Sequence, residues 1–99
     1  MKKNIEIINM LKRDGLYVQT ISFENQTQEI KLSSVKQNGY ALKFIKEQNF
    51  EICLEAVKTS ALSFQFVKKE CLDKEEYEII YETAVKKNKL VKKFYSIKD

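Results

Sequence analysis

Histidine is absent from this 99-residue chain, and with it go the commonest general base and the commonest metal ligand. Proline is absent too, and glycine occurs only as Gly15 and Gly39. A β-sandwich or barrel of this length needs many more turn residues, which moves the expectation to helices. Two isolated glycines also make no phosphate-binding loop. Arginine is nearly missing: of eighteen basic residues only Arg13 is one. Arginine is the preferred partner for bidentate phosphate contacts, so the net charge of +4 argues weakly for a nucleic-acid ligand. With abundant Ile and Asn, the lysine surplus reads as the codon bias of an AT-rich genome. No apolar run approaches the roughly eighteen residues that span a bilayer. Glu6 and Asn9 interrupt any signal-peptide core after the opening lysines. The expected location is cytoplasmic, with no membrane contact. Cys53 and Cys71 lack C-x-x-C spacing and are expected to be reduced thiols.

What is present is repetition. EIKLSSVKQNGYALKFIKEQ (Glu29 to Gln48) aligns without gaps on EICLEAVKTSALSFQFVKKE (Glu51 to Glu70), at an offset of 22 with seven identities in twenty positions. Those identities are mostly apolar and in register. A fainter copy precedes the pair, Leu11-Lys12-Arg13-Asp14-Gly15 over Val35-Lys36-Gln37-Asn38-Gly39, at an offset of 24. Another follows, with Ala84, Val85, Lys86, Leu90 and Phe94 over Ala56, Val57, Lys58, Leu62 and Phe66, at an offset of 28. Four units tile residues 1–99 as one helical-repeat domain, the outer two degenerate as terminal caps tend to be. The expected fold is all-α: about four stacked helix-turn-helix repeats of 22–28 residues, in a short helical solenoid or compact bundle.

Each unit reads as two short helices with a sharp joint. Asp14-Gly15 and Asn38-Gly39 suit a helix end whose next residue takes a left-handed conformation, and Ser60 occupies the third joint as a candidate cap. Tyr77, Ile80, Tyr81, Ala84 and Val85 follow helical spacing. Ile52, Cys53, Ala56 and Val57 do the same, which makes Cys53 a buried structural thiol rather than a nucleophile. Leu90, Phe94 and Ile97 are expected to bury one side of the last helix. Leu16 to Gln26 would also suit a strand by its β-branched and aromatic content, but its place in the repeat assigns it to helix.

VKQNGYALKF followed by FEICLEAVK resembles the tandem-repeat family named domain of unknown function 4116, whose units read V-K-x-N-G-x-A-L-x-F with an E-I-V-L-x-A-V lead-in. The likeness is close from Glu29 to about Lys69. The chain departs from the pattern at Thr59-Ser60-Ala61, which lacks the Asn-Gly joint, and in a longer spacer, Cys71 to Glu76. The resemblance implies a helical-repeat fold and carries over no catalytic residue.

Charge is sharply divided near the C-terminus. Residues 70–82 hold six acids and one lysine, a net of −5, and residues 83–99 hold six lysines and one aspartate, a net of +5. Glu75, Glu76, Glu78 and Glu82 suit the start of a helix, where negative charge meets the positive end of the helix dipole. Lys86, Lys89, Lys92 and Lys93, with Tyr95 as an off-stripe anchor, form the candidate contact for a partner. The same lysines would also serve as the solvated face of a capping repeat. The expected function is that of a small non-enzymatic protein that binds a macromolecular partner, most simply a protein, as an adaptor or inhibitor. A bacterial nuclease or defence complex is one such target. The alternative is weak, sequence-independent RNA or DNA binding through the lysine-rich unit, and end-to-end self-association is a third reading. No cofactor or metal is expected.

Overall fold

The computed structural model describes residues 4–95. In chain order its elements are α1 (Asn4–Arg13), η1 (Gly15–Thr20), η2 (Phe23–Asn25), α2 (Gln28–Gln37), η3 (Gly39–Phe44), α3 (Phe50–Thr59), η4 (Ala61–Phe66), η5 (Lys69–Cys71), α4 (Lys74–Lys87) and α5 (Leu90–Phe94), where η marks a 3₁₀ helix. There is no strand among the described residues; Leu16 to Gln26 is instead two short 3₁₀ helices, η1 and η2, joined by Ile21 and Ser22.

The expected four units are all present, each an α-helix joined to a shorter second arm. Asp14, Asn38, Ser60 and Asn88 form the joints, with φ between −150° and −147° and ψ between 98° and 114°. At every joint the backbone N–H donates to the carbonyl four residues back at 2.9 Å, and the backbone C=O accepts from the N–H three residues on at 2.9–3.1 Å. Three joints add a side-chain bond: Oδ1 of Asp14, Asn38 and Asn88 accepts from the N–H two residues ahead. Ser60 does not cap its second arm, contrary to the expectation from sequence. A serine hydroxyl is one atom shorter in reach, and Ser63 Oγ instead donates to the Ser60 carbonyl at 2.7 Å.

The glycines after the first two joints have a different role from the one expected. No described residue has positive φ, so neither needs a left-handed conformation. Both stand where the next unit comes closest. A Cβ on Gly15 would lie 2.3 Å from the carbonyl oxygen of Ser34, and one on Gly39 would lie 2.5 Å from that of Ala56. The third unit has Ala61 at this position, and it is buried.

The second arms are 3₁₀ helices for a reason written in their spacing. With three residues per turn, side chains at i, i+3 and i+6 eclipse. Gly15-Val18-Ile21, Gly39-Leu42-Ile45 and Ala61-Phe64-Val67 follow that period, and Val18, Leu42 and Ile45 are completely buried. In the fourth unit the same positions are Lys89, Lys92 and Tyr95, so no apolar period of three exists. The arm winds as α-helix instead and buries Val91.

Each α-helix packs on the α-helix of the next unit, and each second arm on the next second arm. The product is an elongated stack, 47 × 23 × 16 Å, a short solenoid rather than a bundle. Thr27, Asn49 and Asp73 cap α2, α3 and α4 by accepting from the N–H three residues on. Glu76 completes a capping box by accepting from the Asp73 N–H at 3.0 Å. Neighbouring units are also clamped by two buried glutamines, each placed just before a cap. Gln26 Nε2 donates to the carbonyls of Ile21 and Phe44 at 3.0 and 3.2 Å. Gln48 Nε2 donates to those of Ile45 and Phe66 at 3.2 and 3.0 Å. Gln48 Oε1 accepts from Lys68 N at 2.8 Å and from Cys53 Sγ at 3.2 Å. The residue before the third cap is Leu72, so the clamp stops where the fourth unit begins.

Candidate interaction surface beside the fourth helix

A solenoid buries each unit under its neighbour, so equivalent positions in successive units can be compared for exposure. On α3, Cys53 and Val57 face the following unit and are completely buried. The repeat register places Tyr81 and Val85 at the same positions on α4, and there both are half-buried. They line a shallow cleft of about 260 Å³ together with Glu82, Lys86 and Lys92. Three large apolar side chains stand exposed in the same unit: Ile79, Leu90 and Phe94, the last at 62 % of its full accessibility.

The final arm is turned differently from the sequence expectation. Leu90 and Phe94 do not form a buried side; they face solvent, and the inward residues are Val91, completely buried, and Tyr95, half-buried. The pair follows α-helical i, i+4 spacing. Ile97 lies outside the described residues. Tyr95 is therefore not an off-core anchor: its ring centroid lies 6.1 Å from that of Phe64. Tyr77 and Tyr81 pack on the same Phe64 ring at 5.4 and 5.5 Å, as their helical stripe predicts.

Of the predicted contact residues, Lys86, Lys89, Lys92 and Lys93 are all exposed. The structure brings Lys86 and Lys92 together at the cleft and leaves Lys89 and Lys93 outside its lining. What sequence reasoning missed are the apolar members, Tyr81, Val85, Leu90 and Phe94. Repeat alignment misleads here: Val85 aligns with the core residue Val57 but is only half-buried.

A second cluster lies along the 3₁₀ arms, where Lys46 Nζ sits 5.7 Å from the Phe23 ring centroid and Lys43 Nζ about 6 Å from those of Phe44 and Phe66. Here the cations already cover the rings of their own chain, an arrangement worth about 0.5–1 kcal/mol each at exposed sites.

Among the described residues no group of three or more Cys, Asp or Glu side chains is placed to hold a metal ion, and no helix is long and apolar enough to cross a membrane. Both thiols are free. Burial pushes the Cys53 thiol up to about 12 from its usual 9.0, with the nearby Cys71 and Glu76 adding in the same direction. In the unfolded chain this thiol ionises near 9.0, whereas the folded chain keeps it protonated. Its contribution to stability is therefore complete below pH 9 and is lost as pH rises toward 12, by up to about 4 kcal/mol. Burial raises Tyr77 as well, with the same sign. Thermal melts should show stability falling steeply above pH 9. Titration with a thiol reagent at pH 8 should modify Cys71 while Cys53 reacts only on unfolding. Rapid reaction of both thiols in the native protein would refute this.

The architecture is that of a tandem helical-repeat protein. Residues 27–72 match the family model described as Domain of unknown function (DUF4116). The matched segment runs from the cap of α2 to the residue before the cap of α4, which is two complete units. No curated protein and no solved structure matches the chain.

Proposed function

We propose that this protein is a binding module without chemistry of its own, an adaptor or inhibitor that acts by docking a protein partner at the cleft beside α4. One observation carries this reading: Tyr81 and Val85 are half-exposed at the positions where Cys53 and Val57 are sealed by the next unit. Apolar side chains rimmed by Lys86 and Lys92 suit a partner that presents an apolar face with acidic residues beside it. Desolvated aromatic and aliphatic anchors supply most of the binding energy in such contacts, and rim charges supply steering. A nucleic-acid partner fits less well, because Glu82 stands in the cleft with the two lysines and would repel a phosphate.

Affinity capture with the wild-type chain and with a Val85→Glu, Phe94→Ala variant tests this. A stoichiometric protein recovered by the first and lost by the second is the expected result. Recovery that is indifferent to the two substitutions would overturn it. Recovery of RNA or DNA, abolished by Lys86→Glu with Lys92→Glu, would transfer the function to nucleic-acid binding.

A further inference from the structure

We infer that the long edge of the stack where the α-helices end binds duplex nucleic acid, through its phosphates and without regard to base sequence. This edge is a second surface, apart from the cleft beside α4, and only Lys86 borders both.

The α-helices lie side by side and point the same way. Asn4 at the start of α1 donates to Glu29 at the start of α2 at 3.0 Å, and Gln28 donates to Glu51 across the starts of α2 and α3 at 2.9 Å. At the opposite ends, Gln37 Nε2 donates to the carbonyl of Arg13 at 3.2 Å. The row continues with α4 on α3, where Cys53 and Glu76, near the two starts, are close to each other. All first turns therefore share one edge, and all last turns the other.

The first edge is acidic, with Glu6, Glu29, Glu51, Glu75 and Glu76 in the first turns. Several of these carboxylates are engaged within the chain: Glu29 and Glu51 join neighbouring units, and Glu76 closes its capping box. The second edge is basic. The residue two before each joint is a lysine in all four units, Lys12, Lys36, Lys58 and Lys86, and all four are exposed. The helix macrodipole favours a cation anywhere in a last turn, but it does not select one position in every unit. Among the described residues none of the four ammonium groups has a hydrogen bond or ion pair. Elsewhere in the stack, Lys31 and Lys68 donate to carbonyls, and Lys43, Lys46 and Lys69 lie over rings of their own chain.

Packed helices stand about 8–10 Å apart, so the four lysines form a row of roughly 24–30 Å. That length matches about seven to nine base pairs of duplex at about 3.4 Å each. Arg13 and Lys87 add charge to the same edge. Asp14 is the one acid at the joints, while Glu55 and Glu82 stand about a turn back in the third and fourth units. The contact is therefore firmest across the first two units. There Lys12 and Lys36 share a shallow cleft of about 360 Å³ with Ser33 and Gln37, and no described acid lines it.

Between each lysine and its joint stands an exposed polar residue, Arg13, Gln37, Thr59 or Lys87. The row thus carries no apolar anchor of the kind that holds a protein partner. Nor do these positions hold an aromatic ring on which unpaired bases could stack, which favours a duplex over a single strand.

Fluorescence anisotropy tests this, with the full chain, labelled DNA and RNA duplexes of about 16 mixed-sequence base pairs, and salt from about 20 to 200 mM. Binding to both is expected, with a slope of log Kobs against log[salt] of about −3 to −4. Lys12→Gln, Lys36→Gln and Lys58→Gln should each weaken binding to every sequence alike and flatten the slope by about 1. Lys36→Arg keeps the charge and should bind as the wild type does. Lys74→Gln removes the same charge from the acidic edge, where Lys74 is exposed at the first residue of α4, and should leave the slope unchanged. That control separates the row from mere net charge. No binding in the lowest salt, equal flattening by Lys74→Gln, or tighter binding of a single strand than of the duplex would each overturn the inference. Retention on phosphatidylserine vesicles with none on duplex would do the same. None of these variants alters Tyr81, Val85 or Phe94, so this test and the capture of a protein partner fail separately.

Discussion

Gly39→Ala is expected to destabilise the protein by about 3 kcal/mol, a fall in melting temperature on the order of 15 °C. The usual effect of this substitution at negative φ runs the other way, toward a gain of about 0.4–1 kcal/mol from a stiffer unfolded chain. Here the added Cβ would stand 2.5 Å from the carbonyl oxygen of Ala56 and 3.1 Å from the backbone N of Ser60. Both are main-chain atoms at the end of α3, already held by the 2.9 Å bond from Ser60 N–H to Ala56 O. No side-chain rotation relieves the contact, so the second and third units must move apart. Gly39→Asn separates this account from the left-handed one suggested by the Asn-Gly pair. Asparagine tolerates left-handed φ and would restore stability if conformation were the requirement. If close approach is the requirement, it does no better than alanine. Ala61→Gly provides the internal control: its Cβ is accommodated, so its removal should cost only about 1 kcal/mol. Near-wild-type melting of Gly39→Asn would sink the close-approach account.

The joints were legible because they recur. Offsets of 24, 22 and 28 residues read from the sequence coincide with the spacing of Asp14, Asn38, Ser60 and Asn88 in the fold. The burial of Ile52, Cys53, Ala56 and Val57 likewise followed from helical spacing alone. The helix type of the second arms was harder to see. Six residues give only two turns of a period-three pattern, and Gly15 or Ala61 as the first member lacks the bulk to announce it. Tertiary contact also overrode a local preference: Asn-Gly advertises a left-handed turn, yet the same dipeptide serves where two backbones nearly touch. At the candidate surface, the lysines were visible as charge, but the apolar residues beneath them were not. Val85 and Leu90 look like core in a repeat alignment, yet Val85 is only half-buried and Leu90 is exposed.

Gln48→Ala should cost about 3–5 kcal/mol, as much as removing a large core side chain, because one polar group here satisfies several others. Its amide nitrogen serves the carbonyls of Ile45 and Phe66, and its oxygen accepts from Lys68 N and the Cys53 thiol. Truncation leaves a part-buried backbone N–H without its acceptor and removes the donor shared by two units, at up to about 1–3 kcal/mol for each buried group left unsatisfied. Gln48→Met retains most of the volume and none of the bonding, so it should recover only the packing part of the loss. Gln48→Glu keeps an acceptor for Lys68 N but brings no donor to the carbonyls and buries a carboxylate beside Cys53; it should be the worst of the three. Gln26 supplies the comparison within the same molecule. It spans the first and second units with equivalent donor bonds, but its Oε1 has no hydrogen-bond partner. Gln26→Ala therefore leaves no N–H stranded and should cost about 2 kcal/mol, clearly less than Gln48→Ala. Urea unfolding of the four variants measures these differences. Equal losses at the two glutamines, or a Gln48→Met protein as stable as the wild type, would show that packing rather than the hydrogen-bonded clamp joins the units. The predicted order instead makes the junction between the second and third units the firmest in the stack, and that junction lies at the centre of the two-unit segment that matches the repeat family.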